Sequence, residues 1–112
     1  MKKQVSILGC GWLGLPLARY LVHNGWEVKG STTSVEKISS LENEGIVPFK
    51  IKLLQDQVVG DIQEFLSSSE LLIINIPPGL KKDPGSSFVS KLKQLTKAVS
   101  KSAIKQIIYM SS

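Results

Sequence analysis

The chain has 112 residues, of which 42% are apolar and 21% are charged. This length fits one domain rather than two, and a single cysteine excludes both a disulfide framework and a cysteine-rich zinc site. Five prolines and nine glycines are too few for a collagen-like or disordered chain. No apolar run approaches the roughly 18 residues of a membrane span, and the N-terminal apolar stretch is too short for a signal peptide. We therefore expect one cytoplasmic domain without membrane contact or metal.

Short apolar runs alternate with helical patterns along the chain. The apolar and β-branched runs predict five strands, at 5–8, 26–30, 49–53, 71–76 and 106–110. Apolar residues at helical spacing predict helices between them, at about 13–22, 35–44, 61–69 and 86–102, with Ser34 as the N-cap of the second. Strict alternation with short connections indicates an α/β fold. We predict a Rossmann-type doubly wound parallel sheet, with strand order 3-2-1-4-5 and three αβα layers over residues 1–112.

A glycine-rich loop follows the first predicted strand and opens the first helix. Gly9, Gly11 and Gly14 have the spacing G-x-G-x-x-G, and in this context the spacing predicts a dinucleotide site. Gly9 allows the turn, Gly11 lets a pyrophosphate approach the backbone, and Gly14 lets the helix pack on the strand. The backbone N–H groups from Trp12 through Leu13 to Gly14 then favour an anion. The alternative is a glycine turn that binds no ligand.

The end of the second strand predicts which dinucleotide binds. A carboxylate about 20 residues beyond the fingerprint would bind the ribose 2′-OH of NAD. Residues 28–34, which lie at about this distance, contain no acid, and Glu27 comes too early, at the start of the strand. Hydroxyls and a nearby lysine suit a 2′-phosphate, which favours NADP with NAD as the alternative; these residues are Ser31, Thr32, Thr33 and Lys37. The same hydroxyls could instead form a turn that caps the next helix.

The fourth predicted strand ends in a segment that could also reach the cofactor. Ligands of open parallel sheets lie beyond the carboxyl ends of the strands. Asn75 and Pro77 end this strand, so we expect them to line the nicotinamide side. A rigid exit from the strand, without cofactor contact, is equally compatible with the prolines.

Three segments together resemble the N-terminal part of the extended short-chain dehydrogenase/reductases, especially the NAD-dependent epimerase/dehydratase-like members. They are SILGCGWLG at 6–14, GST at 30–32 and IIYMSS at 107–112. The resemblance covers the whole chain but only the first third to half of such an enzyme. We therefore expect a truncated part of a longer oxidoreductase or nucleotide-sugar epimerase/dehydratase-like protein, whose remaining part would contact a small-molecule substrate.

The resemblance also implies a serine that positions the substrate oxygen after the fifth strand. Ser112 matches this serine best and Ser111 second. In the family the serine acts with a tyrosine and with a lysine four residues later. Neither Tyr20 nor Tyr109 has a lysine at that spacing. Because a phenol with a pKa near 10 needs such a cation to act as a base at neutral pH, we expect the chain alone to be inactive.

Basic charge is concentrated at the end of the chain. Residues 1–80 carry 7 basic and 8 acidic side chains, whereas residues 81–112 carry 7 lysines and one aspartate. These lysines allow a nucleic-acid-binding alternative, but they lack interleaved aromatic or arginine residues, so we do not expect that function. A second alternative is a non-catalytic NAD(P)-sensing regulatory module. The last strand would be left partly uncovered, so we also expect some disorder or self-association there, the latter giving a homo-oligomer.

Overall fold

A computed structural model describes residues 3–9, 14–54, 56–76 and 85–111, without the side chains of Ile76, residues 85–89 and Ser111. The strands are β1 Gln4–Leu8, β2 Glu27–Thr32, β3 Val47–Lys50, β4 Lys52–Leu53, β5 Val58–Val59, β6 Leu71–Ile76 and β7 Gln106–Ser111. The α-helices are α1 Gly14–His23, α2 Ile38–Asn43, α3 Ile62–Leu66 and α4 Gly85–Ser100, and a 3-10 turn at Val35–Lys37 precedes α2.

The five long strands form one parallel sheet in the order β3-β2-β1-β6-β7. In register, Val5 of β1 lies beside Val28 of β2 on one side and Leu71 of β6 on the other. This order is the predicted 3-2-1-4-5 arrangement. A small hairpin, β4-β5, is inserted along the chain between β3 and β6 and forms a separate sheet. The predicted fold class is therefore confirmed.

The predicted third strand at 49–53 is wrong in its extent. β3 ends at Lys50, and Lys52–Leu53 pairs antiparallel with Val58–Val59 in a separate hairpin. Ile51 makes the last link to the sheet, because its N–H donates to the carbonyl of Thr32 at 3.1 Å. Alternating apolar and lysine residues therefore continue through a change of sheet, which the sequence pattern does not reveal.

Two apolar cores cover the two faces of the sheet. On one face, Val5 and Ile7 of β1 pack with Ala18 of α1 and Leu41 of α2. On the other face, α3 and α4 pack against the sheet; the buried residues there are Leu8, Ile51, Phe65, Leu66, Leu72, Ile74, Leu95 and Ala98. Helices thus lie on both faces, which confirms the doubly wound three-layer architecture.

The last strand lies at one edge of the sheet. β7 pairs with β6 alone among the described strands. Ile107, Ile108 and Tyr109 are 42%, 40% and 55% exposed. The exposure that we predicted for the last strand is therefore present, while the predicted self-association stays a prediction.

Candidate cofactor-binding edge

The carboxyl ends of β1, β2 and β6 meet at one edge of the sheet because these strands are parallel. The order of the sheet also reverses between β1 and β6, since the chain builds outward from β1 to β3 and then crosses to β6. Open α/β sheets bind ligands at such a switch point. Gly9 follows β1 directly, and Asn75 lies near the end of the neighbouring strand.

Gly9 is held by side chains from both neighbouring strands. Its N–H donates to Oγ of Ser31 at 2.8 Å, and its carbonyl oxygen accepts from Nδ2 of Asn75 at 3.0 Å. Ser31 is buried at the end of β2, and Asn75 is half-buried. These contacts join residues that are 22 and 66 positions apart in the chain.

The geometry around Gly9 and Gly14 requires glycine at both positions. Gly9 has φ +92°, in the region that side chains disfavour, and an added Cβ would lie 2.9 Å from the carbonyl oxygen of Asn75. A Cβ at Gly14 would run into the carbonyl oxygen of Gly9. The first turn of α1 is therefore packed against the end of β1, as the fingerprint predicts for its first and last glycines.

The hydroxyl residues after β2 fall into two groups. Ser31 and Thr32 are buried, and Oγ1 of Thr32 accepts from the N–H of Ser34 at 3.1 Å. Thr33 and Lys37 are exposed. Ser34 occupies the predicted N-cap position, here of the 3-10 turn, but its side chain makes no capping hydrogen bond.

Some predicted site residues lie outside the described part of the chain. These are Gly11, Trp12 and Leu13 of the glycine loop, Pro77 after β6, and Ser112 after β7. Ser111 is described through its backbone, which pairs in register with Ile76. The proposed roles of these residues therefore remain predictions.

Lys29 lies on β2 but is directed away from this edge. Its ammonium donates to the carbonyl oxygens of Glu64 and Ser67 at 2.7 and 2.8 Å, at the C-terminal end of α3. Burial lowers the pKa of Lys29, while the charges of Glu64 and Glu27 partly oppose that shift. The sequence pattern missed this helix-end role because only the fold brings β2 and α3 together.

Residues 3–9, 14–54, 56–76 and 85–111 show neither a membrane-spanning helix nor a metal-binding cluster. Over those residues, no helix has the length and apolar character needed to span a bilayer. The same residues contain no cluster of three or more histidine, cysteine, aspartate or glutamate side chains suited to a metal ion.

The chain is similar in sequence to one curated protein and in fold to several solved structures. The chain is 31% identical over 112 residues to the protein YeeZ of Escherichia coli, and it spans only 40% of that protein's length. A putative epimerase from Bacteroides thetaiotaomicron superposes with TM-score 0.71 at 18% identity. This match covers 97% of the chain and 47% of the epimerase. The chain has a Rossmann fold.

Two reductases share the same fold. Vestitone reductase from alfalfa matches with TM-score 0.69 at 20% identity, over 96% of this chain and 36% of the reductase. An imine reductase from Myxococcus stipitatus, solved in complex with NAD⁺, matches with TM-score 0.65 at 14% identity, over 100% of this chain and 33% of that protein. No protein-family model matches the sequence. The resemblance to epimerase- and reductase-type proteins is thus confirmed at the level of the fold, and the chain spans less than half of each.

Proposed function

We propose that the chain is the NAD(P)-binding part of a longer oxidoreductase or nucleotide-sugar epimerase/dehydratase-like protein. The observation that carries this proposal is the glycine turn at the switch point. Gly9 turns out of β1 with positive φ, and Gly14 starts α1 directly against it. That arrangement brings backbone N–H groups and the positive end of a helix to the carboxyl edge of the sheet, where a pyrophosphate is stabilised.

NADP(H) is the proposed dinucleotide, with NAD(H) as the alternative. Residues 31–34 at the end of β2, where a carboxylate would bind the ribose 2′-OH of NAD, contain no acid. Thr33 and the positively charged Lys37 are exposed just beyond that strand, and both suit a 2′-phosphate. The imine reductase structure with NAD⁺ supports a nicotinamide dinucleotide in general and keeps NAD as the alternative.

Catalysis is assigned to the longer protein rather than to this chain alone. Tyr20 is followed four positions later by Asn24, and these 112 residues contain no complete Tyr-x-x-x-Lys dyad of the resembled enzymes. Ser112, or Ser111 beside it, would position a substrate oxygen next to a dyad supplied by another part of the protein.

Calorimetric titration with NADPH and NADH tests this proposal. We expect saturable one-site binding with a lower Kd for NADPH. Gly11→Asp should abolish binding, because it places a carboxylate where the pyrophosphate approaches the backbone. Ala103→Asp is the matched control. It adds the same charge at an exposed position just before β7, where the amino ends of the strands lie. If the wild type bound neither dinucleotide, or if the Gly11→Asp variant bound with the affinity of the wild type, the proposal would be contradicted.

A further inference from the structure

Two residues of the proposed site make contacts that a ligand-contact role does not explain. Ser31 and Asn75 direct their polar groups at Gly9, from opposite sides. Ser31 accepts the N–H of Gly9 and Asn75 donates to its carbonyl, so both backbone polar groups of this residue are satisfied by side chains. Ser31 is only 2% exposed, which leaves its side chain little surface for contact with a bound nucleotide.

Holding Gly9 matters because of its conformation. Glycine samples positive and negative φ about equally, so its freedom in the unfolded and loosely folded loop is large. At φ +92°, Gly9 directs the chain from β1 towards α1, whose first residue Gly14 packs on the Gly9 carbonyl. The two hydrogen bonds to Gly9 therefore fix the conformation of the residue at which the glycine loop begins.

We propose that Ser31 and Asn75 are positioning residues that preorganise the glycine loop through Gly9. This inference rests on the proposed dinucleotide-binding function and refines it. Ser31 and Asn75 strengthen the binding of any ligand with a pyrophosphate at the loop, and they do not distinguish NADP from NAD. Discrimination is left to Thr33 and Lys37, which are exposed beyond the end of β2.

A matched pair of substitutions isolates the hydroxyl of Ser31. Ser31→Thr and Ser31→Val add the same branch at this buried strand position, but only threonine keeps the oxygen that accepts the N–H of Gly9. We expect the valine variant to bind both NADPH and NADH about fivefold more weakly than the threonine variant, the effect of one ordinary hydrogen bond. The ratio of the two Kd values should remain that of the wild type.

Asn75→Leu provides a second variant if the buried serine tolerates neither branch. Leucine is similar in size to asparagine but lacks the amide that donates to the Gly9 carbonyl. We expect this variant to lower the affinities for NADPH and NADH by a similar factor. Asn75→Gln, which keeps the amide donor, is the rescue variant. A changed NADPH:NADH ratio in either series would show direct ligand contact and overturn the positioning role.

A measurement without ligand separates this inference from the proposed function. In ¹⁵N-labelled protein, the Gly9 amide should exchange with solvent more rapidly in Ser31→Val than in Ser31→Thr, because its acceptor is lost. Failure of the wild type to bind any dinucleotide refutes the proposed function, while the Gly9 exchange rates still test the positioning contact. Equal exchange rates in the two variants would overturn the inference.

Discussion

Two buried serines on neighbouring strands show how position along a strand decides what a polar residue does. Ser6 of β1 and Ser31 of β2 are 0% and 2% exposed, and both hydrogen-bond to distant groups. The hydroxyl of Ser6 bonds the Phe65 carbonyl at 2.6 Å and the buried Ser69 hydroxyl at 2.7 Å. Ser31 bonds the N–H of Gly9 at the edge of the sheet. Ser6 therefore stabilises the interior, whereas Ser31 holds Gly9 at the point where the chain leaves β1.

The contacts of Ser6 belong to a group of side chains that hold α3. This helix has only five residues, too few to be stable by itself. Gln4 donates to the Ser67 carbonyl and Lys29 donates to the carbonyls of Glu64 and Ser67, so strands β1 and β2 satisfy the C-terminal end of the helix. These contacts lie at the C-terminal end of α3, away from the carboxyl ends of the strands around Gly9, so this cluster holds the helix and not the glycine turn.

The largest effect should come from filling the space at Gly14. Gly14→Val places side-chain atoms against the Gly9 carbonyl, so the loop must move. We expect a loss of roughly 3 kcal/mol in the free energy of unfolding and no measurable NADPH binding. Urea unfolding and calorimetry check both. Tyr20→Val, on the exposed side of the same helix, is the control for valine in α1. Retained NADPH affinity in Gly14→Val would refute the close packing of loop and helix.

Removing the hydroxyl of Ser6 should reduce stability without changing ligand affinity. Ser6→Ala leaves a buried carbonyl and the Ser69 hydroxyl without this partner, which costs about 2 kcal/mol. Chemical unfolding measures the loss, with the exposed Ser40→Ala on α2 as control. The NADPH Kd of the folded variant should equal that of the wild type. A weakened Kd at conditions where the variant is fully folded would erase the distinction between Ser6 and Ser31.

Neutralising Lys37 should lower the affinity for NADPH but not the affinity for NADH. Lys37→Gln removes an exposed positive charge near the proposed 2′-phosphate position, and we expect NADPH affinity to fall roughly fivefold, since a solvent-exposed ion pair is worth about 1 kcal/mol or less. NADH affinity should not change. Lys93→Gln, at another exposed lysine on α4, is the matched control. Equal weakening of both dinucleotides would assign Lys37 a role at the pyrophosphate instead.

The smallest effect should be a pH dependence at the α3 end. Burial lowers the pKa of Lys29, so the unfolded chain binds this proton more tightly than the folded chain. Stability should therefore rise with pH between the lowered and the ordinary lysine pKa. Thermal melting across this alkaline window should show a shallower rise for Lys29→Met than for the wild type. Identical pH profiles would mean that the ammonium is as well solvated in the folded chain as in the unfolded one.

The fold was predictable from local patterns, and the details of pairing were not. Apolar runs and the glycine spacing predict the strands, the parallel order and the turn at Gly9. The break after Lys50 was not predictable, because alternation of apolar and lysine residues is the same in one long strand and in a strand followed by a hairpin.

The sequence predicts that Ser31 and Asn75 lie at the ends of neighbouring strands, but it does not predict their contacts. Their hydrogen bonds to Gly9 join residues that are 22 and 66 positions apart, and a local sequence pattern does not predict contacts at such separations. For the same reason the sequence does not reveal the contacts of Lys29, whose partners at the C-terminal end of α3 lie 35 and 38 residues further along the chain.

Titration of the ¹⁵N-labelled wild-type chain with NADPH, followed by amide resonances, tests the central claim most directly. The account predicts saturable shifts concentrated at the edge of the sheet, at Gly9, Gly14, Thr33 and Lys37, with the amides around Ser6 and Ser69 unmoved. Shifts confined to the lysines of α4 and the following turn, with Gly9 and Gly14 unchanged, would show that NADPH binds as a polyanion and would contradict a dinucleotide site at the glycine loop.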